Sequence, residues 1–341
     1  MHRSLITLSL TLGLTALACS SESDPDAGGN GATGASGGNG ATGGNGATGG
    51  NGGTSGAGGT GAVGGVGGTG AGGPECAAGP GFEIEATPRQ IENVTGRLIT
   101  PSGAPATGVL TQVCGKDICI NGQTIDDGVF ATCQNDSLGT PVCVTGISPG
   151  QPIKQPALKY GDGLRYAKFA YLLPAGAVHA LDTVTIIPID PPGTGQPMVP
   201  GVGASSHGVK LGLTEDARVH VDILSYMEDD EHQFRAVVFG PSEAPIAVDQ
   251  ALGFELLVGT TPVETTFCPH ASLSVPNSEG WAAGTEVEFF IHGVSLEEEW
   301  APYGGWAKVS DGVVSADGAE VVTAEGQGIP YLSVFGIRRK P

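Results

Sequence analysis

Residues 217–239 read ARVHVDILSYMEDDEHQFRAVVF. Within them Val219, Val221 and Ile223 alternate with His220 and Asp222, the period of two that marks a half-buried strand. Residues 234–239 form a second short run of aromatic and β-branched side chains, which suit a pleated surface. Between the two, Glu228-Asp229-Asp230-Glu231-His232 reads as a solvated hairpin tip. The same pattern extends both ways. Apolar runs at 94–100, 108–114, 183–189, 254–258, 286–291, 313–315, 321–323 and 331–337 are bounded by Gly, Pro, Asn and Asp. Only 296–300 (LEEEW) offers room for a short helix. Many short strands with frequent turns predict an all-β fold, with two β-sandwich modules after a disordered Gly-rich linker.

That linker and its approach occupy the N-terminus. His2 and Arg3 precede an apolar run from Leu5 to Leu17, which ends in Ala18-Cys19. A short basic region, about 13 apolar residues and a small residue before the cut predict a signal peptide over 1–18. The run is too short to span a bilayer, which takes about 20 apolar residues. Thr15-Ala16-Leu17-Ala18-Cys19 resembles the lipobox of bacterial lipoproteins, with Ala16 where the commonest pattern has Leu. The resemblance implies acylation of Cys19, hence palmitate on the thiol and a membrane partner reached through a lipid anchor rather than a span. Ser20 after the cysteine resembles lipoproteins sent to the outer membrane or cell surface. Residues 28–73 contain no charged and no aromatic side chain, and Gly-Asn-Gly-Ala-Thr-Gly recurs from Gly38 and Gly44. Such a unit has no apolar face to stack, and glycine loses the most freedom on ordering. Residues 19–78 are therefore expected to form a disordered tether with a root-mean-square span of roughly 40 Å.

The chain has 341 residues, 59 of them Gly, and a net charge of −20 from 15 basic and 35 acidic residues. A body so acidic is repelled by a phosphate backbone, so nucleic acid is excluded as a partner. Setting Cys19 aside, the seven cysteines leave six, an even number in an exported chain and the basis of a disulfide framework. Cys114 and Cys119 bracket four residues, and Cys133 and Cys143 bracket a polar turn, so both pairs could close hairpins. Cys76 would then remain for Cys268, although other connectivities stay open. No Cys-x-x-Cys occurs and the histidines stand far apart, so neither a metal nor any other cofactor is expected.

Two resemblances refine the fold. In 94–130, VTGRLITPSGAPATGVLTQVC followed by TIDDGVF is similar to the carboxypeptidase regulatory-like (transthyretin-like) domain, with Gly103-Ala104-Pro105 as its turn and Gly128 before Phe130. That resemblance implies a β-sandwich over 79–158. Leu173-Pro174-Ala175-Gly176-Ala177-Val178, then 261–267 (TPVETTF) and 332–335 (LSVF), looks like a ZU5-like β-sandwich over 159–341, interrupted by a Gly/Pro-rich insertion at 191–207. It implies a structural or protein-interaction module without catalytic residues.

Chemistry is otherwise sparse. The zinc carboxypeptidases that carry the regulatory-like domain use His-x-x-Glu, whereas this chain offers His179-Ala180-Leu181-Asp182, so His179 reads as a surface or loop residue. Gly203-Ala204-Ser205-Ser206-His207-Gly208 approaches a hydrolase elbow without matching Gly-x-Ser-x-Gly. Calcium at 228–232 would need the alternating acidic spacing of a calcium loop, which is missing. All three tryptophans lie in the last quarter, where Trp300, Tyr303 and Trp306 are candidate binding aromatics that could stack on sugar or bury in a protein partner. No catalytic residue is expected. The function expected is a non-enzymatic, lipid-anchored cell-envelope protein for structural or adhesive contact with an envelope protein. The alternative is a carbohydrate-binding surface module for a glycan, and a cryptic hydrolase ranks last.

Overall fold

A computed structural model describes residues 76, 78–83, 87–296 and 299–341. The expected signal peptide, Cys19 and the tether up to residue 75 lie outside these residues. Apart from three single 3₁₀ turns, all regular structure among the described residues is strand, so the chain is all-β. The first ten strands are β1 (Arg89–Ile91), β2 (Asn93–Ile99), β3 (Leu110–Cys114), β4 (Cys119–Thr124), β5 (Phe130–Asn135), β6 (Pro141–Thr145), β7 (Gln151–Ile153), β8 (Ala157–Tyr160), β9 (Phe169–Leu172) and β10 (Val178–Thr185). Then follow β11 (Ala204–Ser206), β12 (Val209–Gly212), β13 (Arg218–His220), β14 (Arg235–Phe239), β15 (Leu256–Thr261) and β16 (Thr266–Pro276). The last are β17 (Glu286–His292), β18 (Trp306–Val314), β19 (Glu320–Thr323), β20 (Ile329–Tyr331) and β21 (Val334–Arg339).

Six strands in the order β6-β5-β4-β3-β8-β9 form one sheet, and β2 pairs in parallel with β10 opposite it. Val94, Leu98 and Val184 of that parallel pair share a core with Val113, Phe130 and Leu158 of the six-stranded sheet. No break in pairing coincides with residue 158. β8 and β9 pair across it, and β10 returns to β2, so the N-terminal layers run on to Thr185.

The larger, 11-stranded sheet follows β11-β12-β16-β19-β18-β17-β21-β15-β14, with β13 and β20 also paired to β16. Its ends approach each other. Gln196 and Phe234 exchange backbone hydrogen bonds of 3.2 and 2.8 Å, and the Ser206 hydroxyl accepts the Ala236 N–H at 3.1 Å. The result is a nearly closed, barrel-like curl. Alternation along its strands feeds two cores at once. Leu256, Val258, Phe289, Ile291 and Phe335 point into the curl, while Leu257, Phe290 and Val334 join the core of the N-terminal layers. Strands buried on both faces carry continuous apolar runs, which explains Leu256-Leu257-Val258 and Phe289-Phe290-Ile291.

The stretch at 217–239 differs from its reading. β13 stops at His220 because the Asp222 carboxylate accepts the Leu224 N–H at 3.0 Å and the Ser225 hydroxyl at 2.6 Å, folding the chain into a turn. Ile223 and Leu224 are consequently exposed rather than half-buried. β13 pairs with β16 and β14 with β15, so the acidic run is a crossing connection and not a hairpin tip. The local alternation is compatible with either partner, and only the long-range pairing decides. At 296–300 no helix forms among the described residues, and residues 297–298 lie outside them. The disulfides are Cys114–Cys119, Cys133–Cys143 and Cys76–Cys268.

The two lobes meet at a buried polar seam. His292 is fully buried at the end of β17, its Nε2 accepting the Ala170 N–H of β9 at 3.1 Å. The opposite nitrogen, Nδ1–H, donates to the Gly305 carbonyl at 2.9 Å, which sets the neutral tautomer. Phe169 and Trp306 pack against the ring at centroid distances of 5.8 and 4.6 Å. Burial brings the imidazole down to about 4, against the two backbone hydrogen bonds. The unfolded chain takes up this proton first as pH falls, so the folded state loses stability between the ordinary histidine value of 6.5 and about 4. Urea melts at pH 7 and pH 4.5 should differ by about 2 kcal/mol from this residue alone. That difference should shrink by the same amount in His292→Asn.

Candidate functional site

β16 carries the side chains of a surface groove. Its sequence TFCPHASLSVP places Phe267, Ala271, Leu273 and Val275 on the buried side. Thr266, Cys268, His270, Ser272 and Ser274 form a second, interrupted row, because the pairing with β20 shifts register between Thr266 and Ala271 and leaves Pro269 and His270 outside the ladders. Cys268 in that row holds Cys76, and the Arg218 guanidinium donates to its sulfur at 3.1 Å. Ser274 donates to Glu320 at 2.6 Å. The remaining three border two clefts.

One cleft, of about 570 Å3, is lined by Gly212, Thr214, His270, Ser272, Glu325 and Gln327 among others. At Gly212 a Cβ would stand 2.3 Å from the Ser272 Oγ, so only glycine leaves that hydroxyl its place. The other, of about 300 Å3, lies between His220, Asp222, Glu264, Thr266, Trp300 and Tyr331. The Trp300 indole meets the His270 ring edge-on with centroids 4.7 Å apart, so the clefts are neighbours on either side of this aromatic pair. Burial holds His270 below the usual imidazole range although Glu299 pulls the other way, so the ring is neutral at physiological pH.

Behind Glu264 stand two lysines, Lys159 buried and Lys168 partly buried. Lys168 Nζ donates to Glu264 Oε2 at 3.0 Å. Burial would raise the Glu264 carboxyl, but Lys168 and Lys159 hold it below the usual carboxylate range. Lys159 is buried on β8, 5.8 Å from the centroid of the Tyr303 ring. Burial and then Lys168 bring its ammonium down to about 8, with Glu264 opposing. Burial first, then Glu264 and Glu299, push the Tyr331 phenol up, so it remains a neutral hydroxyl.

Of the three candidate binding aromatics only Trp300 reaches a cleft. Tyr303 is fully buried in a small core with Val263 and Val294. Trp306 donates its indole N–H to the Ala247 carbonyl at 3.0 Å and packs on Phe254 and His292. Both fill the seam, because large rings near a lobe junction bury more apolar surface there than at the rim. His179 is a buried residue of β10 and not a loop residue, its Nε2 3.1 Å from the Gly176 carbonyl. Ser205 and Ser206 lie on β11. The Ser205 hydroxyl donates to Gln196, while His207 pairs with Asp190 at 2.5 Å. In the acidic run Glu231 accepts the Met227 and Glu228 N–H groups. No group of side chains among the described residues is arranged to hold a metal ion.

His270 and the outward row of β16 escaped sequence reasoning, which weighed histidines only by their spacing to other metal ligands. The strand's own alternation was the available signal. No family model, no curated protein and no solved structure matches this chain. Among the described residues no helix is long and apolar enough to cross a membrane.

The lysine pair yields a test of these electrostatics. The unfolded chain holds the Lys159 proton up to the ordinary 10.5 and the folded one only to about 8, so stability should rise with pH across that interval. Lys159→Met should flatten the rise. It should also stabilise the protein at pH 7 by about 1–2 kcal/mol, as read from urea melts, because the buried ammonium is gone while Lys168 still faces Glu264.

Proposed function

We propose that this chain is a lipid-anchored cell-envelope protein of the outer membrane or surface, and that it works by binding rather than by catalysis. Cys19 carries the lipid, the uncharged glycine-rich stretch acts as the tether, and the all-β body makes structural or adhesive contact. In this reading the first part of the body is a carboxypeptidase regulatory-like module and the remainder a ZU5-like one.

The observation that carries it is the Cys76–Cys268 disulfide, with a sequence separation of 192 residues. The bond joins the end of the tether directly to β16, an interior strand of the larger sheet paired with β12, β13, β19 and β20. A pull arriving along the tether enters the body at β16 and bypasses residues 77–267. The groove lies on the same strand. The polar groups support the same reading, since His292, Lys168, Glu264, Ser205 and Ser206 are engaged in internal hydrogen bonds.

Metabolic palmitate labelling should mark the wild type in the membrane fraction and leave Cys19→Ser unlabelled and released. A wild type that takes no label removes the anchor. A pull-down with the full chain from envelope extracts should recover a macromolecular component, and an empty eluate removes the adhesive role.

A further inference from the structure

We propose that the groove along β16 binds a neutral or amino-sugar oligosaccharide, with Trp300 as its stacking platform. The proposal rests on the binding function above and names the ligand class of that site. Two clefts, of about 570 and 300 Å3, border β16 on either side of its register shift between Thr266 and Ala271. Two clefts side by side suit a short sugar chain better than a single ring. The His270–Trp300 pair stands at the point where they meet. A sugar ring presents an apolar face of C–H groups and a rim of hydroxyls. Trp300 offers an aromatic surface to the face, and the groove offers short polar side chains to the rim: Thr214, Thr266, Ser272 and Gln327.

The charges narrow the ligand further. Asp222, Glu264, Glu299 and Glu325 border the groove, so a uronate or a phosphorylated glycan would bring negative charge against negative charge. They do not favour a free cation either. Glu264 is paired with Lys168, Asp222 accepts from Leu224 and Ser225, and Glu299 Oε1 accepts the Gly79 N–H at 3.0 Å. Asp222, Glu264 and Glu299 thus have partners within the protein, yet each retains lone pairs that can accept sugar hydroxyls. Ile223 and Leu224, exposed just beyond Asp222, extend the apolar surface at that end.

The test titrates the full chain with chitotetraose, cellotetraose, tetragalacturonate and tetra-arginine by calorimetry. One of the first two should bind, and tetragalacturonate should not. Trp300→Ala should weaken that binding by roughly tenfold or more, the usual weight of an aromatic anchor, while Trp300→Phe retains most of it. Trp306→Phe, changed in the seam, should bind as the wild type does. Gln327→Ala should weaken the tetramer more than the corresponding dimer, because only the longer chain reaches the second cleft. Failure of both neutral probes overturns the proposal, as does a Trp300→Ala protein that is folded and binds undiminished. Binding of tetragalacturonate overturns the charge argument and the proposal with it. Tetra-arginine that binds where the sugars do not replaces the glycan by a basic peptide. Sugar failure with successful palmitate labelling and pull-down would sink this ligand class alone and leave the anchored binding function standing.

Discussion

A buried edge strand cannot leave its N–H groups without acceptors, because each would forfeit the hydrogen bond it makes to water in the unfolded chain. β9 is such an edge, the last strand of the six-stranded sheet, and it is covered by the larger sheet. His292 meets that requirement at Ala170 and at the same time ties β9 to the turn between β17 and β18 through Gly305. Arg235 does the same work farther along, donating from a fully buried guanidinium to the Leu164 and Asp190 carbonyls. The lobes are thus joined by side chains that substitute for a missing ladder. Apolar rings from both sides, Phe169, Phe239, Phe254 and Trp306, close around these hydrogen bonds and keep water from competing with them. A shared core of this kind explains why Trp306 and Tyr303 face inward. With Trp281 buried in the core of the curl, the groove is left with Trp300.

The position of β16 follows from the other covalent and topological constraints. It lies between β12 and β19, and takes β13 and β20 along other parts of its length, so its backbone is paired over most of 11 residues. An outward face on such a strand is held rigidly, and side chains on a rigid element bind with less loss of conformational freedom than side chains on a loop. The Cys76–Cys268 bond adds a fixed origin for the chain that precedes the body. The disulfide and the groove therefore share one strand. A contact made in the groove is separated from Cys268 by only a few residues of β16.

Much of this architecture was legible from local pattern, and what was not has a common cause. Period-two alternation located most strands to within a few residues, since the solvent and core faces of a strand differ whatever its partner. Cysteine spacing indicated the two short disulfides because hairpin closure is local. The failures concern partners. Val219 to Ile223 alternates well, yet Asp222 ends the strand with a side-chain turn that the alternation cannot register. β13 finds β16, some 50 residues on, rather than β14, and no short-range rule ranks those choices. Trp300, Tyr303 and Trp306 are alike as letters. One lines a cleft and two fill the seam, a distinction made by β9 and by residue 247, far away in the chain. His270 had no partner in its own neighbourhood, and its significance appears only once Trp300 is set against it.

Residue types that a hydrolase uses stand close together near β11, and the serines among them are hydrogen-bonded elsewhere. Ser206, His207 and Asp190 lie near one another, and His207 and Asp190 are paired. A nucleophilic serine needs its hydroxyl hydrogen-bonded to the histidine and exposed on a strained elbow. Ser206 instead stands on β11, where its oxygen accepts the Ala236 N–H and helps bring the two ends of the curled sheet together. One lone pair of that oxygen is engaged in closing the fold. Ser205, on the other face, donates to Gln196. Chemistry and closure compete here for the same atoms. The barrel-like curl needs a donor–acceptor pair between β11 and β14, two strands with no ladder between them. The Ser206 hydroxyl and the Ala236 N–H supply that pair.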